Sequence, residues 1–300
     1  MLPLLSGCEH SASRPHNETP KRAERIVSLA PAATEMLFAL GAGPAVVGVS
    51  QYCDHPPAVL TLPKVGTFIT PNIEAIMALH PTLVIGPSTS SNLRTIRALR
   101  ASGIATLMIG DDSIEHIEQG IGQIGESIGR SNEARRLVND IRQQISSLEE
   151  RVRGTPARSV LIVVGHQPMV AVGSGTYLDE LLTLAHAKNI AAVSHQSWPR
   201  LSIEYIIASR PEVILDGQMG TDPSTPDAFW ATYPSIPAVQ NHRVFGYPND
   251  PTLHPGPRLG QTLEILARLI HPEAFRPAES PLVIARPPVP CRAIRRAGCE

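Results

Sequence analysis

The sequence predicts an α/β protein of two Rossmann-like lobes, each with a parallel central sheet, joined by one long backbone α-helix. Short apolar runs alternate with amphipathic runs in both halves of the chain, an order typical of parallel sheets covered by helices. Between the halves, apolar residues recur every three or four positions from Ser131 to Arg151, which predicts a helix about 30 Å long. Two similar segments, one in each half, indicate that a lobe is repeated.

The first lobe is predicted at residues 24–130. Pro31 suits the first turn of a helix, and Gly41 ends the helical spacing that follows it. Apolar runs bounded by turn residues predict strands at 26–29, 45–49, 82–85 and 105–109. Helical spacing predicts helices at 34–40, 72–80 and 93–101.

The linking helix is predicted at residues 131–154 and the second lobe at 155–276. Gly154 and Pro156 end the long helical pattern, after which strand and helix signals start again. This lobe is predicted to contain strands at 160–164 and 213–215, with helices at 177–185, 203–208 and 259–270.

The repeated segment is the strongest internal signal in the chain. Residues 71–86, PNIEAIMALHPTLVIG, align without a gap with residues 201–216, LSIEYIIASRPEVILD. Each copy places a glutamate, Glu74 or Glu204, in the first turn of a helix. One such glutamate needs no role beyond stabilising the helix dipole. A pair at equivalent positions predicts docking on a two-fold symmetric partner with basic sockets.

An aromatic residue precedes each of these glutamates in a loop: Phe68 in the first copy and Trp198 in the second. A single aromatic residue usually packs in a core. Loops at the edge of parallel sheets, however, are where ligand sites form. We therefore predict that both rings contact a ligand held between the two lobes.

Composition and motifs argue against several functional classes. The net charge is −1 and 18% of residues are charged, so no basic surface for nucleic acid is predicted. The glycines at 173 and 175 lack the rest of a nucleotide-binding motif, and no serine-hydrolase elbow occurs, so no enzyme is predicted. The histidines are scattered singly, so no metal site and no cofactor are predicted. His166, expected in the loop after a strand, is the one candidate metal ligand.

The two ends of the chain are predicted to lie outside the folded body. Leu5-Ser6-Gly7-Cys8 matches the motif at which bacterial lipoproteins are lipidated, although the match is short enough to arise by chance. We expect residues 1–23 to be a truncated lipoprotein signal followed by a polar tether, and Cys8 to carry the lipid. We expect residues 277–300, rich in proline and arginine, to form a disordered tail.

Five blocks of the sequence resemble one known family. RIVSLAPAATEMLFALG, VVGVSQYCDHPP, LPKVG, PNIEAIMALHPTLVI and SIEYIIASRPEVIL are similar to blocks of the helical-backbone substrate-binding proteins of ABC importers, and the similarity covers about residues 24 to 273. The resemblance implies a periplasmic or extracytoplasmic receptor that binds a small chelate between its lobes. It also implies a permease dimer with its ATPase as partner, with permease arginines pairing with Glu74 and Glu204.

The resemblance also implies a set of ligand contacts. Within the family the cobalamin-binding members are the most similar, and their contact positions correspond here to Pro31, Tyr52, Phe68, Trp198, Asp250 and His254. Those members carry an arginine where this chain has His254, which could bond to the ligand, coordinate a metal or remain solvated. A corrin is a broad, mostly neutral disc that aromatic and proline faces can cover. We therefore expect cobalamin or a related corrinoid, with haem or a ferric siderophore as the alternative and a metal-ion receptor or an enzyme as weaker ones.

Overall fold

The computed structural model describes residues 24–88, 92–217, 226–247 and 252–276. The predictions for residues 1–23, including Cys8, for residues 277–300 and for Asp250 lie outside these ranges. No helix in the described ranges is both long enough and apolar enough to cross a membrane.

Strands and helices alternate along the described chain. The strands are β1 (Ile26–Ser28), β2 (Val46–Val49), β3 (Leu83–Pro87), β4 (Ala105–Ile109), β5 (Arg158–His166), β6 (Met169–Ala171), β7 (Ala187–Asn189), β8 (Val213–Asp216) and β9 (Val244–Gly246). The helices are α1 (Pro31–Ala39), α2 (Ile73–Ala78), α3 (Leu93–Ala101), α4 (Ile114–Ser127), α5 (Ser131–Val152), α6 (Tyr177–Leu184), α7 (Ile203–Ser209), α8 (Pro226–Trp230), α9 (Pro237–Gln240) and α10 (Leu259–Ile270).

The N-terminal lobe is built on a parallel sheet of strand order β2-β1-β3-β4. Val27 lies at the centre of the sheet and pairs with Gly48 on one side and Val84 on the other. Because helices cover both faces, the central strands are buried throughout and appear in the sequence as continuous apolar runs. The prediction of a parallel sheet is confirmed for this lobe.

The C-terminal lobe has the strand order β6-β5-β8-β9, with β7 pairing with the first residues of β5. All of these strands are parallel except β6, which runs antiparallel to β5 and pairs Met169 with His166. Only two residues join β5 to β6, and so short a connection forces the chain to reverse into a hairpin. The predicted parallel sheet is therefore correct in its centre and mixed at this edge.

Helix α5 joins the two lobes, as predicted. Its 22 residues extend about 33 Å, and it contacts α4 in the first lobe and α6 and α10 in the second. Ala134, Ile141, Ile145 and Val152 form its buried stripe. Through this stripe one apolar cluster continues from the N-terminal lobe into the C-terminal lobe, so the linker is part of the core.

Helix α4 was not predicted, since its three glycines reduce helix propensity. Two of those glycines permit close packing instead. A Cβ on Gly125 would lie 2.4 Å from Cβ of Ala134 in α5, and one on Gly120 would lie 3.3 Å from Cβ of Ile109 in β4. Glycine lowers the helix propensity of α4, and the close packing of α4 against the linking helix offsets this cost.

We expect Gly125→Ala to destabilise the protein by about 1–3 kcal/mol, because its methyl group overlaps Ala134. Gly122→Ala, in the same helix, is expected to stabilise by about 0.5–1 kcal/mol, since nothing lies within 4 Å of its added Cβ. Urea unfolding of both variants measures the two free energies. Equal effects of the two substitutions would show that close packing of α4 on α5 does not constrain position 125.

Candidate functional site

The two lobes meet along the edges of the sheets where the parallel strands end. After β1, Glu35 in α1 binds Arg258 at the start of α10. After β4, the Ile114 backbone N–H donates to Oε2 of Glu180 in α6 at 2.9 Å. Loops at the carboxyl ends of parallel strands are the usual place for a ligand site. The boundary between the lobes is therefore the candidate site.

Tyr52 and Phe68 form an aromatic pair on the N-terminal side of this site. Their ring centroids lie 6.0 Å apart at 57°, and 49% of Tyr52 is exposed. A tight turn displays Phe68, because Thr67 Oγ1 accepts hydrogen bonds from the backbone N–H groups of Ile69 (3.2 Å) and Thr70 (2.8 Å). Neither ring is buried in the lobe, so each ring presents surface that a ligand can contact.

Glycine at position 66 is required for the turn that displays Phe68. Its φ of +89° is one that other residues rarely adopt, and an added Cβ would lie 2.7 Å from the Thr70 carbonyl oxygen. The Gly66 carbonyl accepts a hydrogen bond of 2.9 Å from the Gln51 N–H, which lies beside Tyr52 in sequence. This bond connects the two aromatic loops and explains why the rings come together.

Trp198 is displayed from the C-terminal lobe by the unpredicted strand β6. The Ala171 N–H donates to the Pro199 carbonyl, and the Leu201 N–H donates to the Met169 carbonyl, each at 3.0 Å. The 197–201 segment thus extends the sheet beyond β6 and leaves 49% of Trp198 exposed. Within the described ranges, Trp198 makes no ring contact with Tyr52 or Phe68.

Pro31 occupies the first turn of α1, half-buried above a group of small polar side chains. Thr34 Oγ1 donates to Ser28 Oγ at 2.7 Å and lies 3.2 Å from Sγ of Cys53. Cys53 is buried, and burial raises the pKa of its thiol. The thiol is therefore a packed neutral group at neutral pH.

His254 is directed towards the N-terminal lobe. Its Nδ1 lies 3.2 Å from Oε1 of Glu35, whose carboxylate also receives Arg258 Nε at 2.7 Å and Nη2 at 2.5 Å. Glu35 itself is 3% exposed. Sequence reasoning missed Glu35, although a single carboxylate within an otherwise apolar helix is a detectable signal of a buried ion pair.

His166 belongs to a second buried group, in the C-terminal lobe. It is the last residue of β5 and not part of the following loop as predicted. Its Nε2 lies 2.8 Å from Oδ2 of Asp216, and Trp230 Nε1 donates to the same oxygen at 2.7 Å. No sequence pattern indicated Asp216 or Trp230 as partners of His166. Among the described residues, no cluster of three or more potential ligands could hold a metal ion.

Glu74 and Glu204 occupy equivalent, exposed positions in α2 and α7. The residue two positions before each glutamate caps the N-terminus of its helix. Asn72 Oδ1 accepts from the Ala75 N–H at 3.0 Å, and Ser202 Oγ accepts from the Tyr205 N–H at 3.2 Å. A hydrogen bond from its own backbone lowers the pKa of Glu204, so this carboxylate is ionised at neutral pH.

Residues 26–251 match the protein family described as Periplasmic binding protein. The chain belongs to the Periplasmic binding protein family. An uncharacterized ABC transporter substrate-binding lipoprotein of Bacillus subtilis, YvrC, is 32% identical over 265 residues, which are 85% of this chain and 82% of the relative. Membership in the Periplasmic binding protein family confirms the prediction of a substrate-binding protein of an ABC transporter and not an enzyme.

Two solved structures of Periplasmic binding protein relatives share this fold. The periplasmic vitamin B12 binding protein BtuF of Vibrio cholerae has a TM-score of 0.73 and 27% identity, covering 85% of this chain and 99% of that one. The periplasmic heme-binding protein RhuT from Roseiflexus sp. RS-1 has a TM-score of 0.76 and 29% identity, covering 84% and 99%. The two-lobed fold with its linking helix is thereby confirmed. The protein acts outside the cytoplasm, with a permease, an ATPase and a small ligand as partners.

Proposed function

We propose that this receptor captures cobalamin or a related corrinoid between its lobes and delivers it to an importer permease. The observation that carries the proposal is the set of aromatic rings on both sides of the lobe boundary: half-exposed Tyr52 with the partly buried Phe68 from one lobe, and half-exposed Trp198 from the other. Broad aromatic faces suit a large, mostly neutral macrocycle with an amide rim. We expect Pro31 to add apolar contact at the start of α1, and Asp250 and His254 to bond to the rim of the ligand.

The charges near the boundary also favour a neutral ligand over an anionic chelate. A tricatecholate iron complex would require several arginines. Only Arg200 and Arg258 are proposed to lie near the cleft; Arg258 is paired with the buried Glu35, and Arg200 is exposed beside Trp198. A B12-binding relative of the same fold is consistent with a corrinoid. We further propose that Cys8 anchors the receptor through a lipid, an inference supported by the lipoprotein relative.

The ligand can be tested by titrating the full chain with cyanocobalamin, cobinamide, haemin and a ferric tricatecholate, using equilibrium dialysis. We expect a corrinoid to bind most tightly, and Trp198→Ala to weaken it at least ~tenfold because a large exposed face is lost. Leu60→Ala, at an exposed apolar residue outside the proposed site, is the control and should leave affinity unchanged. Tight binding of haemin or the ferric chelate without any corrinoid binding would assign the receptor to that ligand instead.

A further inference from the structure

The pair formed by His166 and Asp216 lies where the ligand site is proposed. His166 ends β5 and Asp216 ends β8, so both side chains lie at the carboxyl edge of the C-terminal sheet. The strand segment that carries Trp198 reaches this edge at Leu201: His166 pairs with Met169 in β6, whose carbonyl accepts from the Leu201 N–H. Two strand spacings of about 4.8 Å therefore separate the backbones of His166 and Leu201, and Trp198 lies three residues, about 10 Å, back along the segment.

The imidazole of His166 is held in one orientation. Its ring lies 4.1 Å from the Phe229 ring, centroid to centroid, with an angle of 32° between the planes. Its Nε2 is fixed by the carboxylate of Asp216, which is fully buried and also bound by Trp230. In the tautomer that donates from Nε2 to this carboxylate, Nδ1 keeps the lone pair.

That lone pair is accessible. The His166 side chain is 16% exposed, and its Nδ1 is not among the buried, unpaired atoms of the described residues. No hydrogen bond to Nδ1 occurs in the same part of the chain. Histidines that bind metals characteristically donate their other ring N–H to a carboxylate, which fixes the tautomer and increases ligand basicity. The hydrogen bond between His166 and Asp216 has this arrangement.

We propose that Nδ1 of His166 is an axial ligand for the cobalt of a bound corrinoid that carries a displaceable axial water. This inference rests on the proposed function and names the ligand subclass, the aquated corrinoids. Binding is a ligand exchange: the Nδ1–cobalt bond forms, the cobalt–water bond breaks, and the water leaves with both of its protons. Cobalt stays in the same oxidation state, and the Nε2 proton remains shared with Asp216.

Aquocobalamin and cyanocobalamin provide a matched pair of probes, since they share the corrin and differ in the ligand that can be displaced. We expect the full-length protein to change the visible absorption spectrum of aquocobalamin and to bind it at least ~tenfold more tightly than cyanocobalamin. His166→Gln keeps a donor for Asp216 but lacks the coordinating nitrogen. It should abolish both the spectral change and the preference for aquocobalamin over cyanocobalamin.

His242→Gln, at an exposed histidine outside the site, is the control and should behave as the wild type. Asp216→Asn is a second variant, which keeps Nδ1 of His166 and should weaken the spectral change. It tests the coordination independently if His166→Gln does not fold. Binding of aquocobalamin with an unchanged spectrum would overturn the coordination and leave the corrinoid receptor intact. A spectral change that survives in His166→Gln would also overturn it. If neither corrinoid binds, the proposed function itself fails.

Discussion

Replacing Glu74 and Glu204 together by glutamine is expected to abolish stimulation of the importer's ATPase while leaving ligand affinity within about twofold of the wild type. Both carboxylates are exposed in the first turn of equivalent helices, one in each lobe. A permease dimer offers two equivalent surfaces, so each lobe can meet one basic socket. Losing both charges removes the electrostatic complementarity that selects this partner and speeds the encounter.

The structure accommodates the double substitution. Neither glutamate packs in the core, and the loss of one first-turn charge costs a helix about 0.3–1 kcal/mol. ATPase activity of the reconstituted importer against receptor concentration gives the result, with ligand affinity measured in parallel. Each single variant should give an intermediate response, and high salt should weaken the wild-type response.

A matched control is available on the linking helix. Glu149→Gln combined with Glu150→Gln removes the same charge from two exposed positions of α5. This control should stimulate the importer as the wild type does. Normal stimulation by the Glu74 and Glu204 double variant would eliminate the docking role.

The sequence predicts the frame of the molecule because that frame follows local periodicity. The linking helix begins at Ser131 as predicted, and the predicted helix at 259–270 has the observed bounds. The two copies of the repeat also match in the structure: residues 71–80 and 201–210 have the same pattern of exposure except at Met77 and Ile207. Where tertiary packing outweighs propensity, as in the glycine-containing α4, local pattern gave no signal.

The site was predicted less completely, because its polar groups are paired across long stretches of chain. The loops of Tyr52 and Phe68 are short and local: the internal repeat points to Phe68, and the family resemblance points to Tyr52. Glu35 pairs with a residue more than two hundred positions later, and Asp216 with one in another strand. No spacing rule connects such partners in a single sequence. Burial of a carboxylate is evident only when its partner is brought to it by the fold.

Glu35→Gln is expected to destabilise the protein by about 3 kcal/mol, towards the lower end of the cost of breaking a buried ion pair. The carboxylate side chain is 2% exposed and the Arg258 side chain 17% exposed, so the substitution would remove a buried carboxylate from a largely buried guanidinium. The pair connects α1 of one lobe with the start of α10 of the other. Its loss should therefore weaken the association of the lobes as well as the fold.

Urea unfolding measures the first effect, and ligand titration measures the second. The variant should bind corrinoid more weakly, because the loop that carries His254 is held by the same carboxylate. Arg268→Gln is the control: it breaks an exposed pair with Glu264 on α10 and should cost less than about 1 kcal/mol. If Glu35→Gln proved as mild as this control, the buried pair would add little net stability, and rigidity between the lobes would have to come from other contacts, such as α5 with its apolar stripe and the Ile114–Glu180 hydrogen bond.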